Sequence, residues 1–385
     1  MIGISKLLCG VETPGDDLRY RGDGSVHRRP VVVWNMTRRC NLHCVHCYAE
    51  AIDKVSPGEL TTAEGKSLID DLAAYGVPVI LFSGGEPLTR PDLLELTAYA
   101  SSKGLRSTYS TNGTLITPSL AREMKKAKIT YVGVSLDGLE ATNDRFRGKK
   151  GAFRDALNGI RYCREAGVKV GLRLTITKFN RHEIPAILDL VESEDIPRVC
   201  FYHLVYSGRG SKIIEADLTH AEARETVDLI MARATDFHRR GLVKEILTVD
   251  NYADGVYLYL KMKKEQPERA AEIYRFLKMN GGNNSGVGIG EIDQVGNVHP
   301  DQFWQHYTFG NVRKRSFGEI WEDTSDPVMR GLKNRRAMIK GRCARCQFLD
   351  LCGGNFRVRA EAVYGDIWEQ DPACYLTDQE IGIAQ

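Results

Sequence analysis

Short β-branched runs alternate with amphipathic stretches over the first two hundred residues, and this alternation narrows the possible folds most. Strand-like segments fall at Val31–Asn35, Val77–Phe82, Leu105–Ser110, Tyr131–Leu136, Lys169–Thr177 and Arg198–Val205, with helical spacing between them, as in Thr61–Tyr75 and Asp92–Lys103. Strands separated by helices of about 10–15 residues predict parallel pairing through right-handed crossovers. Six such units predict an α/β fold, an open sheet or partial barrel, with its chemistry at the carboxyl ends of the strands.

Four parts are predicted. Residues 1–30 read as an irregular, charged N-terminal arm, and 31–210 hold the barrel. Residues 211–280 read as a helical connector, with helical patterns at His220–Arg240 and Lys261–Lys278. Residues 281–385 read as a smaller domain that opens on a glycine-rich stretch and ends in cysteine-bearing loop. A composition of 42% hydrophobic and 27% charged residues suits a globular enzyme. No apolar run nears the ~18 residues that cross a bilayer, so no membrane partner is expected. Met1–Gly10 lacks the apolar core of an export signal, so a cytoplasmic location is expected. A net charge of +3 is too small a basic excess to indicate a nucleic-acid partner.

Ten cysteines are too few for a disulfide scaffold in 385 residues. In a reducing compartment, clustered thiols indicate metal or redox chemistry. Cys9, Cys163 and Cys200 stand apart and read as buried small hydrophobes or idle thiols. Cys40, Cys44 and Cys47 follow the first strand, three residues and then two apart. Three thiolates on one loop ligate three irons of a cubane cluster and leave the fourth iron open to a substrate. Zinc with His43 or His46 as fourth ligand is the alternative, at a spacing unusual for zinc fingers. Cys343, Cys346, Cys352 and Cys374 suffice for one closed site, either structural zinc or a fully ligated cluster. The glycines at 286, 288 and 290 lack the strand–loop–helix surroundings of a phosphate cradle.

The first cysteine loop resembles the signature of the radical S-adenosylmethionine (SAM) enzymes, which usually carry an aromatic residue where this chain has His46. That resemblance implies a 4Fe–4S cluster on Cys40, Cys44 and Cys47. It also implies SAM bound by His46, by Gly84, Gly85 and Glu86 after the second strand, by Thr111 and Asn112 after the third, by Ser135 and Asp137 after the fourth, and by Arg173 on the fifth. The carboxy-terminal cysteines resemble the SPASM extension or its shorter twitch form. Phe356 stands where a full SPASM domain has a further cysteine, and Gly286–Pro300 holds none. One auxiliary 4Fe–4S cluster on Cys343, Cys346, Cys352 and Cys374 is therefore implied, two clusters in all. The implied fold is a partial (β/α)6 TIM-like barrel with a small C-terminal SPASM/twitch-like iron–sulfur domain.

Almost the whole chain is similar to the radical enzymes of modified tetrapyrrole synthesis, as in Val31–Arg39, Phe201–Gly210 and Gly353–Arg359. The likeness implies removal of the two acetate side chains of 12,18-didecarboxysiroheme to give Fe-coproporphyrin III in siroheme-dependent haem biosynthesis. An iron-tetrapyrrole substrate and a low-potential electron donor are the implied partners. A 5′-deoxyadenosyl radical takes a hydrogen beside a methyl–acetate carbon, and scission of the next bond expels a carboxymethyl radical. One electron and one proton then make acetate, with the auxiliary cluster as a possible electron relay. Arg145, Arg147, Tyr202, His203, Tyr206, Arg209, Arg357 and Arg359 are the expected substrate contacts, beside Tyr252, with His203 as axial iron ligand. No residue is singled out as catalytic. The alternatives on the same core are a haem d1 enzyme removing propionates, a haem synthase decarboxylating coproporphyrin, and a peptide-maturing SPASM enzyme. An iron–sulfur or zinc scaffold would account for the cysteines but not for Gly84–Glu86 or the turns at Asn112 and Asp137.

Overall fold

Alternate residues of the early strands face opposite ways, and this two-residue period builds the whole architecture. The computed structural model describes residues 1–20 and 29–383. Among these, eleven strands form one sheet. They are β1 (Ile2–Gly3), β2 (Val31–Asn35), β3 (Val79–Ser83), β4 (Arg106–Thr111), β5 (Tyr131–Ser135) and β6 (Val170–Ile176). β7 (Arg198–His203), β8 (Glu245–Val249), β9 (Ile289–Ile292), β10 (Asn297–His299) and β11 (Gly310–Asn311) complete it. β2 to β8 pair in parallel in chain order. Helices such as Thr62–Tyr75 and Ile184–Ser193 make the crossovers.

Val31 and Val33 of β2, Val79 and Leu81 of β3, and Thr108 and Ser110 of β4 face an internal cavity. Between them, Val32, Trp34, Ile80, Phe82 and Tyr109 enter the core beneath the helices. Phe82 meets Trp34 at 5.8 Å and Tyr109 at 6.0 Å between ring centroids. Truncating such a ring to alanine costs about 3–5 kcal/mol. Helix Thr62–Tyr75 starts on a capping box, in which the Thr61 side chain accepts from the Glu64 N–H and the Glu64 carboxylate from the Thr61 N–H.

The predicted parallel α/β barrel is present, and the sheet extends past it at both edges. β8 lies inside the stretch read as a helical connector; five residues in a charged surround carry too short a pattern to stand out. Lys261–Lys278 is two helices, Ala253–Glu265 and Pro267–Asn280, because a proline disfavours helix at the residue before it and starts the next one well. β9 pairs in parallel with β2, so the carboxy-terminal segment continues the barrel sheet.

The described part of the arm is not irregular. β1 pairs with β8, helices Ile4–Cys9 and Asp16–Tyr20 follow, and Ile2, Ile4 and Leu7 are buried. Thr13, Pro14, Gly15, Asp17, Leu18 and Arg19 line the cavity beside Pro78 and Pro197, at the amino ends of the strands. The rest of the predicted arm, 21–28, lies outside the described residues. Cys163 and Cys200 are buried and Cys9 partly so. Among the described residues no helix is long and apolar enough to cross a membrane.

Candidate active site

The loop after β2 carries Cys40, Cys44 and Cys47, and its backbone is held by the end of helix Glu140–Arg147. His43 and Val45 donate their N–H groups to the carbonyls of Arg147 and Phe146, at 3.2 and 3.0 Å. Gly148 is glycine for a reason of space, since a Cβ there would come within 2.9 Å of the His43 carbonyl. Cys40 and Cys44 are buried, and burial pushes the Cys40 thiol up to about 12. Three N–H donors nevertheless point at these sulfurs: Leu42 N and Asn112 Nδ2 at Cys40 (3.4 and 3.8 Å), and Arg147 Nη1 at Cys44 (3.4 Å).

The turn after β3 braces this loop. Gly85 and Glu86 donate N–H groups to the Thr37 and Arg39 carbonyls, both at 2.7 Å. A Cβ on Gly84 or Gly85 would collide with those same carbonyl oxygens. The close approach that requires glycine here is thus between two segments of the chain itself. Glu86 corrects an expectation. Its carboxylate is fully buried and accepts from the Thr111 hydroxyl and the Asn112 N–H (both 2.7 Å) and from the Leu88 N–H (3.1 Å). It ties the β3 turn to the β4 turn and does not line the cavity. Burial raises its carboxyl to about 7 despite those three donors.

Asp137, after β5, accepts from the Thr175 N–H at 2.7 Å, pairs with Arg147 and lies 3.3 Å from His46 Nε2. Burial lowers the affinity of His46 for a proton. Ser135 is in register with Arg173 of β6, whose Nη1 donates to Ser110 at 2.5 Å. Arg173 makes no ion pair among the described residues, and its buried Nε has no acceptor. All these groups surround one cavity of 1410 Å³ that opens on the three cysteines and reaches down through the barrel. His46, Gly84, Gly85, Thr111, Asn112, Ser135, Asp137 and Arg173 are brought together on its wall.

The family model described as the radical SAM superfamily matches residues 34–191, and one described as an iron–sulfur cluster-binding domain matches 290–347. Fe-coproporphyrin III synthase of Methanosarcina barkeri is 60% identical, over 99% of this chain and 99% of its own. The chain belongs to the radical SAM superfamily. Pre-heme d1 synthase of Dinoroseobacter shibae is 44% identical, over 92% of this chain and 88% of its own. Streptococcus suis SuiB, solved bound to S-adenosylmethionine, has the same fold, with a TM-score of 0.72 at 20% identity over 91% of this chain and 78% of its own.

Radical SAM enzymes carry a 4Fe–4S cluster and SAM, and the donors present fit them. Desolvated thiols become ligands by giving their protons up to metal, and N–H groups aimed at sulfur stabilise the anionic cluster that results. The second cysteine set fits a further cluster. Cys343, Cys346, Cys352 and Cys374 line one small apolar pocket with Ala253, Val256 and Leu376. Burial raises all four thiols, Cys374 to about 11. Phe348 N–H points at Cys346 (3.3 Å) and Arg342 Nη1 at Cys374 (3.6 Å).

The expected substrate residues divide. Arg147, Tyr202, His203, Arg209 and Tyr252 line the radical SAM cavity. Arg209 donates to the carbonyls of Cys44 (2.7 Å) and Ala51 (3.0 Å), and its buried Nη2 has no acceptor. Arg145, Tyr206, Arg357 and Arg359 do not reach the cavity. Arg145 is exposed, and Tyr206 donates to Asp217 at 2.6 Å. Arg357 is fully buried on the carbonyls of Gly354, Ile367 and Glu369. Arg359 is fully buried on Asp371 (2.7 Å) and on the Leu204 and Asp250 carbonyls. A motif alone does not distinguish an arginine facing substrate from one holding a loop together. Tyr131, Arg198, Gln302 and Phe303 also line the cavity, and no local signal marks them.

Proposed function

We propose that this radical SAM enzyme removes both acetate side chains of 12,18-didecarboxysiroheme to give Fe-coproporphyrin III. The reading includes two 4Fe–4S clusters, SAM and a low-potential electron donor. One observation carries it: the 1410 Å³ cavity opens directly on Cys40, Cys44 and Cys47 and holds buried arginine N–H groups without acceptors. Ordinary small-molecule pockets measure roughly 300–1,000 Å³. A flat, iron-bearing ring edged with carboxylates needs such room, and guanidinium groups to receive its edge. The full-length likeness to Fe-coproporphyrin III synthase supports the same choice.

Bound together, the reduced cluster and SAM supply the 5′-deoxyadenosyl radical that abstracts hydrogen. The chain's own residues bind and orient. Gly84, Gly85, Thr111, Asn112, Ser135 and Asp137 form the wall assigned to SAM. Arg173 receives the SAM carboxylate through Nε, and Arg209 receives a substrate carboxylate through Nη2. Tyr202 and Tyr252 face the ring, and Arg209 couples that edge to the cysteine loop through the Cys44 carbonyl.

Anaerobic incubation of the reconstituted enzyme with 12,18-didecarboxysiroheme, SAM and a strong reductant tests the reading by mass spectrometry. Two successive acetate-sized losses are expected. Propionate-sized losses, or SAM cleavage with an unaltered tetrapyrrole, would overturn it.

A further inference from the structure

His203 closes β7 on the cavity wall with 5% of its surface exposed. Its Nε2 lies 2.9 Å from Asp254 Oδ2, and the Tyr375 hydroxyl donates to Asp254 Oδ1 at 2.7 Å. Asp254 is completely buried in the first turn of helix Ala253–Glu265, and Tyr375 directly follows Cys374. Both oxygens of this carboxylate are therefore occupied, and the imidazole ring is fixed from behind. Nε2–H faces Asp254, which leaves Nδ1 for the cavity.

Four charged groups bear on the ring. Burial works against the imidazolium, but Asp254 outweighs it and raises the ring above its ordinary value of 6.5. Asp217 acts with Asp254 and Arg359 against it, and Asp250 is the remaining carboxylate in range. An imidazolium backed by a buried carboxylate at a cavity wall is a positioned proton donor.

We propose that His203 donates the proton that completes each acetate, with Asp254 and Tyr375 as positioning residues. The proposal rests on the deacetylase reading. The bond between ring carbon and CH2COO⁻ breaks homolytically, leaving a ring double bond and a carboxymethyl radical. One electron from the low-potential reductant and one proton from His203 form the new C–H bond of CH3COO⁻. The neutral ring then regains its proton from solvent.

The test is turnover in D2O, with acetate read by NMR and counted against 5′-deoxyadenosine. Wild-type acetate is expected to carry one deuterium in its methyl group. His203→Gln is expected to form 5′-deoxyadenosine while acetate per 5′-deoxyadenosine falls about a hundredfold. It should also lose the decline that wild type shows as pH rises through the His203 titration. Asp254→Asn is expected to move that pH limb to lower pH in the same turnover assay of the reconstituted enzyme.

Acetate free of deuterium would overturn the proposal, since the hydrogen would then come from carbon. So would an unchanged acetate ratio and pH limb in His203→Gln. A changed EPR signal of substrate iron with an unchanged ratio would assign the ring to iron ligation instead. If wild type makes no acetate at all, the deacetylase reading falls and the donor with it, an outcome distinct from the others.

Discussion

Arg147 points one Nη at the sulfur of Cys44, 3.4 Å away, and the other at the carboxylate of Asp137. A residue expected at the substrate is thereby attached to the first cysteine set, where the proposed cluster would sit. An N–H donor and a positive charge beside a ligand sulfur favour the more negative, reduced cluster. Arg147→Met is expected to lower the midpoint potential by roughly 60 mV, a tenfold change for a one-electron couple. An EPR-monitored redox titration reads this directly, and an unchanged potential would show that the contact has no hold on the cluster.

Gly85 touches the Arg39 carbonyl one residue before Cys40. Gly85→Ala must push that backbone aside, at about 1–3 kcal/mol of overpacking strain. The displaced loop is expected to bind less iron after reconstitution while far-ultraviolet circular dichroism stays that of the wild type. Full iron content in the variant would contradict the packing argument.

Arg359 and Asp371 form an ion pair with both side chains fully buried. Asp371→Ala leaves an uncompensated guanidinium in the interior, which costs about 3–5 kcal/mol. The denaturant midpoint should fall accordingly. A variant that binds tetrapyrrole more weakly at unchanged stability would return Arg359 to the substrate.

Burial holds the Glu291 carboxyl at about 8, against an ordinary value of 4.5. The folded chain thus binds this proton more tightly than the unfolded chain. The stability it contributes is complete below pH 4.5 and is lost as pH rises to about 8. Glu291→Gln stays neutral throughout. Its stability relative to wild type is expected to grow between pH 5 and 8, by a few kcal/mol at most. Parallel denaturation curves across that range would contradict the assignment.

Local pattern carried the six central strands and both cysteine sets, because a two-residue period and sulfur spacing are written in neighbouring residues. β8 was hidden, since Glu245–Val249 is identified as strand by pairing with β7 and not by its own composition. The order in residues 1–20 was hidden for a similar reason: Ile2 and Ile4 are buried against elements more than two hundred positions away. The site followed the same rule. Cysteines and glycine turns could be read directly. The separation of Arg173 and Arg209, which line the cavity, from Arg357 and Arg359, which are buried away from it on carbonyls and Asp371, depends on tertiary contacts. So does the partnership of His203 with Asp254 and Tyr375.

The most direct measurement of the central claim is the stoichiometry of anaerobic turnover: acetate and 5′-deoxyadenosine formed per 12,18-didecarboxysiroheme consumed. Two of each per tetrapyrrole, with Fe-coproporphyrin III as the final mass, is the predicted result. 5′-Deoxyadenosine without acetate, or with a three-carbon acid in its place, would keep the radical core and contradict the deacetylase account.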